Sequence, residues 1–123
     1  MRFRINTKLP SLNDYIDACR KNKYAGAEFK RQTENLILYY IYEGINNGDL
    51  KPIAKQAFVH FEWHEKTKKR DADNIVSAKK YILDALQSAL ILPNDSRKYI
   101  AGFNDRIIDD NDNYVNVIIE ELN

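Results

Sequence analysis

The chain has one cysteine, Cys19, so no internal disulfide can brace it, and a reducing cytoplasm is the expected compartment. No apolar run approaches the roughly 20 residues of a membrane span. The opening MRFRINTKLP lacks the apolar stretch of a secretory signal. The three prolines are spread out, and no internal repeat or low-complexity linker occurs. There is no G-x-x-x-x-G-K-[ST] phosphate loop, nucleophile elbow or C-x-x-C pair. These absences set aside membrane proteins, disulfide scaffolds and several large enzyme classes.

What remains is an ordinary globular composition: 123 residues, 44% hydrophobic and 30% charged, enough for one domain spanning 1–123. The net charge of +1 hides a division. Residues 1–103 carry 18 Lys/Arg against 12 Asp/Glu, whereas 104–123 carry one arginine against six acids. A basic body of this kind attracts phosphate backbones.

The patterning predicts a short strand over 2–6, then a helical stretch capped by Ser11 or Asn13 and broken at Gly26. A second helix is expected from Ala27 to Ile45, stopped by NNGD. It contains the apolar run LILYYIY, which could also be a buried strand. The helix formers Glu28, Lys30, Arg31, Gln32 and Glu34 before it favour helix. An end apolar all round needs cover on both sides and invites a dimer contact. Over 56–64, QAFVHFEWH alternates, with Val59, Phe61 and Trp63 on one face and His60, Glu62 and His64 on the other. Helical spacing runs from Asp73 to Leu90, and two strands follow at 98–107 and 113–120, joined by the polar turn IDDNDN. That turn lacks the glycine and glutamate of an EF-hand loop. His60 and His64 lie about 13 Å apart on a strand, too far to share a zinc ion. The order β-α-β-α-β-β predicts an α+β fold, one mixed sheet with helices packed on it.

The densest chemistry lies in KKRDADNIVSAKK, residues 68–80. On extended backbone, Asp71 and Asp73 would point the same way, roughly 6.6 Å apart. Unpaired they would repel, and a divalent cation removes that conflict; magnesium takes one or two carboxylates and keeps places for substrate phosphate. Asp73 or Asn74 also suits a helix N-cap, where a carboxylate has a purely structural use. On a continuous helix, Ser77, Lys80 and Asp84 fall within roughly 40° of Asp73. Ile75, Val76, Ile82, Leu83, Leu86 and Leu90 cover the opposite side. Lys80 is thus favoured over Lys79 as a functional lysine. Asp95, after Pro93, is a turn former or a third acid for a metal.

These residues resemble a family. RDADN…AKKYILDAL…ILPNDS is similar to the signature of RusA-type Holliday junction resolvases, small homodimeric endonucleases of bacteria and phages, and LPSLNDYI resembles the family's opening motif. The resemblance implies a RusA-like fold and cleavage of four-way DNA junctions with magnesium or manganese. It implies a catalytic set of Asp71, Asp73, Lys80 and Asp95, the three aspartates holding the metal. Three departures stand out. About three extra residues separate D-x-D from D-A-L, so the lysine is aligned from Asp84, with Lys79 as competitor. The family's acidic pair is Asn94–Asp95 here, and the preceding basic stretch is Lys66, Lys68, Lys69 and Arg70. With Lys79, those four are the expected DNA contacts, and Arg20, Lys21, Lys23, Lys30 and Arg31 could extend the surface. Two readings from other classes compete. One is a non-catalytic branched-DNA-binding module whose aspartates only cap a helix; the other is an interaction protein using its Tyr-rich helix.

Overall fold

RFRI sends Arg2 and Arg4 outward and buries Phe3 and Ile5, and this period of two makes β1 (Arg2–Ile5) a half-buried strand. The computed structural model describes residues 1–123. After β1 come α1 (Leu12–Lys21), α2 (Lys23–Asn46), β2 (Ala57–Glu65), α3 (Ala72–Val76), α4 (Lys79–Ser88), β3 (Ile100–Asp109) and β4 (Tyr114–Glu121). The class is the expected α+β, with one mixed sheet and helices packed on it; the helix expected over Asp73–Leu90 is split into α3 and α4, and the break expected at Gly26 falls at Asn22. No helix is long and apolar enough to cross a membrane.

The sheet order is β1-β4-β2-β3. β4 runs antiparallel to both β1 and β2, while β2 and β3 are parallel. A parallel pair needs a long crossover, which α3 and α4 provide. β3 and β4 are consecutive in the chain but not neighbours in the sheet, so the expected polar turn has to step over the end of β2. Backbone geometry there is explicit: Asp110 N–H donates to Glu65 O at 3.0 Å, and Lys66 N–H donates to Asn113 Oδ1 at 2.8 Å. Phe3, Ile5, Val59, Phe61, Trp63, Val115, Val117 and Ile119 are buried and share one face by register. With Ile37 and Ile41 of α2 and Ile82 and Leu86 of α4 they belong to one core of 24 residues. Each such side chain contributes roughly 1.5–3 kcal/mol on burial.

LILYYIY is helical. Ile37 and Ile41, one turn apart, enter the core, while Leu36, Tyr39 and Tyr42 remain exposed, so the apolar run is covered on one side within the chain. Between α3 and α4 the ladder slips to three-residue spacing, with Lys80 N–H donating to Ser77 O and Tyr81 N–H to Ala78 O. The helix expected from Asp73 to Leu90 is therefore broken at Ser77–Ala78. Angular positions cannot be carried from Asp73 across the break. At the far end Leu90, at φ 62°, closes α4 in the left-handed region.

Gly26 does not break the first helical segment. Asn22 does: its extended backbone (φ −172°, ψ 168°) ends α1, and its Oδ1 accepts from Ala25 N–H to cap α2. Gly26 lies inside α2 because α1 crosses it closely; a Cβ there would sit 2.5 Å from Cys19 Sγ and 3.2 Å from Cys19 Cα. Gly26→Ala is expected to lower the Tm even though alanine is the better helix former by roughly 0.8–1 kcal/mol. Cys19→Ala should recover part of that loss. Thermal unfolding of both single variants and the double measures the coupling, and strict additivity would rule out the close-contact explanation.

Candidate functional site

β2 buries every second residue, and the last on that face is a carboxylate, Glu65. Its partner is Arg70, whose Nε and Nη2 donate to Glu65 Oε1 and Oε2 at 3.0 and 2.8 Å. Arg70 Nη1 donates to Leu9 O at 2.9 Å. With side-chain exposures of 18% and 6%, this is a largely desolvated, bidentate pair. Arg70, expected among the phosphate contacts, is instead an internal strut between the end of β2 and the β1–α1 connection. The loop it closes carries Lys66, Lys68 and Lys69, all exposed. Lys68 lies 3.6 Å from Asp109, while Lys66 and Lys69 have no ion-pair partner.

Asp71 follows directly, in extended conformation (φ −70°, ψ 153°), as the N-cap residue of α3, but its carboxylate makes no capping bond. Asp73 is already in the first turn, and its Oδ1 accepts from Asn74 N–H at 3.0 Å. The two aspartates thus flank a loop-to-helix junction and do not lie on one extended segment. Both are exposed. The opening LPSLN packs across this junction. Asn13 Nδ2 donates to Asn74 Oδ1 at 2.9 Å, Leu12 N–H to Ser77 Oγ at 3.0 Å, and Tyr81 OH to Ser11 O at 2.9 Å. Ser11, not Asn13, is the cap of α1, in a reciprocal capping box with Asp14.

The two lysines differ sharply. Lys79 Nζ donates to Asp105 Oδ2 at 2.6 Å and sits 4.5 Å over the Phe103 ring. Asp105 Oδ1 also accepts from Trp63 Nε1 at 2.9 Å. Lys79, expected as a DNA contact or rival functional lysine, is thereby held against the sheet. Lys80 is 54% exposed against 19% for Lys79; its Nζ is 3.0 Å from Asp84 Oδ1 and 3.7 Å from Asp95 Oδ2. The hydrogen bond to Asp84, followed by the charges of Asp84 and Asp95, raises the Lys80 pKa above the usual lysine value. Its ammonium is therefore retained across neutral pH, and any stability it confers is lost only as pH rises through that raised value. Lys30 approaches Asp84 from α2 at 3.6 Å. Asn94, where the resemblance implies an acid, accepts from Ser96 N–H through Oδ1 at 2.9 Å and shapes the turn that carries Asp95.

Among the predicted site residues, Lys80 and Asp95 meet, and Asp71 and Asp73 share the head of α3. Asp71, Asp73 and Asp95 do not gather into one three-acid group; no group of three His, Cys, Asp or Glu side chains that could hold a metal exists in the chain. Asp95 is drawn towards Lys80 instead. A hard divalent cation still fits Asp71 and Asp73 in donor type and number, since Asp71 makes no capping bond and magnesium accepts two carboxylates with waters and phosphates. Sequence reasoning missed Glu65 and Asp105. Glu65 could have been found, because it falls on the buried face of an alternating strand and an acid there requires a cation. The chain matches no family model and no curated protein.

Arg70→Gln would leave Glu65 buried without its counter-charge, and a loss of roughly 3–5 kcal/mol is expected. Lys80→Gln removes a half-exposed ion pair and should cost no more than about 1 kcal/mol. Urea unfolding of both variants checks the assignment; equal losses would mean that Arg70 is not the strut described.

Proposed function

We propose that the chain is a magnesium- or manganese-dependent, structure-selective endodeoxyribonuclease of the RusA type. It would resolve four-way junctions by paired nicks in DNA recombination and repair, in the cytoplasm of a bacterium or a phage-infected cell. The observation that carries this reading is the convergence of the motifs behind the resemblance. LPSLN, RDADN and the lysine helix are joined by hydrogen bonds 61 to 70 residues apart in the chain, and Lys80 reaches Asp95 beyond that helix.

In this mechanism Asp71 and Asp73 would hold the divalent cation, which would supply Lewis acidity to the scissile phosphate and to an attacking water. Lys80, kept protonated by Asp84, offsets negative charge developing on the phosphate or the leaving oxygen. Lys66, Lys68 and Lys69 contact backbone phosphates, which gives affinity without base readout and a steep salt dependence. The exposed Leu36, Tyr39 and Tyr42 of α2 supply an apolar face for a homodimer, whose two-fold axis would match that of a junction. One observation favours the non-catalytic branched-DNA binder: no third acid joins Asp71 and Asp73.

The test is cleavage of a labelled four-way junction beside a linear duplex of the same sequence, with magnesium, manganese or chelator. Metal-dependent, symmetrically paired nicks in the junction alone are expected. Asp73→Asn should abolish them, and Lys80→Gln should slow them by about 10²–10³. Tight junction binding with no nick in either metal would replace the nuclease by the binding module.

A further inference from the structure

β1 and β2 both run antiparallel to β4, which lies between them, so β1 and β2 end on the same edge of the sheet, where β4 begins. Their ends are two strand spacings apart, roughly 9–10 Å. Between them lies a groove of about 510 Å³, lined by Asn6, Thr7 and Lys8 after β1, Lys66 after β2, and Asp112 and Asn113 before β4. No apolar side chain lines it, which makes it unsuited to an apolar ligand or peptide.

Most cations near the acidic motif are already paired, Lys69 excepted. Lys68, Arg70, Lys79 and Lys80 each have a carboxylate partner. Lys8 and Lys66 have none within the chain, and both are exposed. Asn113 uses its Oδ1 to accept from Lys66 N–H, so its amide NH₂ is the end left to donate. Two ammonium groups, an amide donor, Asn6 and the Thr7 hydroxyl form a donor-rich channel with a single opposing carboxylate, Asp112. Lys66 opens the loop that carries Lys69 and ends at Asp71.

We propose that the groove between Lys8 and Lys66 is a phosphodiester-binding subsite that seats a nucleic-acid backbone beside the acidic site. The inference rests on the reading of the chain as a DNA-processing protein, and it assigns the path the strand takes. Lys8 enters the binding surface although it lies far from the basic run in sequence. Asp112 acts against the ligand.

The experiment measures binding of a fluorescent four-way junction and a matched duplex in chelator over a range of salt concentrations. Lys8→Gln with Lys66→Gln should weaken binding more than tenfold and reduce the slope of log K against log salt by about 1.8, two phosphate contacts' worth. Lys51→Gln with Lys55→Gln makes the same charge change at the opposite sheet edge, near Met1 and Glu121, and should move the slope little. Asp112→Asn should tighten binding severalfold, a gain that damage to the fold would not produce. Equal effects of the two lysine pairs, or no gain from Asp112→Asn, would overturn the subsite while leaving the nuclease reading intact. Failure of the unmodified protein to bind either DNA would overturn both. Displacement of DNA by inorganic phosphate at matched ionic strength would reassign the groove to free phosphate.

Discussion

The pair between Glu65 and Arg70 is the constraint on which the candidate site depends. Alternation along β2 carries a carboxylate onto the buried face, where an unpaired charge would cost several kcal/mol. Arg70 answers it with a two-pronged contact and uses a third donor on Leu9 O. The chain between residues 65 and 70 therefore closes into a loop, with its lysines turned to solvent. Because Leu9 is fixed to the same guanidinium, the opening segment lies beside the head of α3. The placement of Asp71, of Asp73 and of the Lys8–Lys66 groove follows from that one guanidinium.

A second level of organisation is the division of charge. The acidic C-terminal segment is not a detached tail: Asp105 holds Lys79, Asp109 faces Lys68, and Asp110 receives His64. The hydrogen bond from His64, with those from Asn111 and Tyr114, depresses the Asp110 pKa below the usual carboxylate range. That contribution is present at neutral pH and fades as pH falls through the depressed value. Each pairing steadies the sheet edge or the strand crossing it, and those of Lys79 and Lys68 remove cations from the pool open to phosphates. What is left unpaired near the acidic motif is a small set, Lys8, Lys66 and Lys69. A phosphate backbone is recognised by cations whose charge is not already balanced.

Much of this molecule was legible in its sequence because the relevant signals are local. Alternation in RFRI and QAFVHFEWH marked two strands, and the capping chemistry of Ser11 and the helix formers before LILYYIY marked α1 and α2. The RDADN motif marked the two exposed aspartates at the head of α3, and the i,i+4 spacing of Lys80 and Asp84 survives because it lies wholly within α4. The failures were non-local. Gly26 signals a helix break by composition, yet its role is to admit a crossing helix at Cys19. A continuous helix from Asp73 to Leu90 fits the periodicity, but the chain breaks at Ser77, where the side chain meets Leu12 N–H, 65 residues away.

By itself the sequence determined the α+β class, the faces of its strands, the acidic motif and the i,i+4 pairing of Lys80 with Asp84. Only the tertiary structure decided that Arg70 is a strut, that Lys79 is bound to Asp105, and that β4 sits between β1 and β2. The physical reason is the same in each case. Periodicity and capping act over a few residues and are written in residue type. The pairing of a charge depends on which other charge the sheet order brings within about 4 Å, and no local pattern encodes that order.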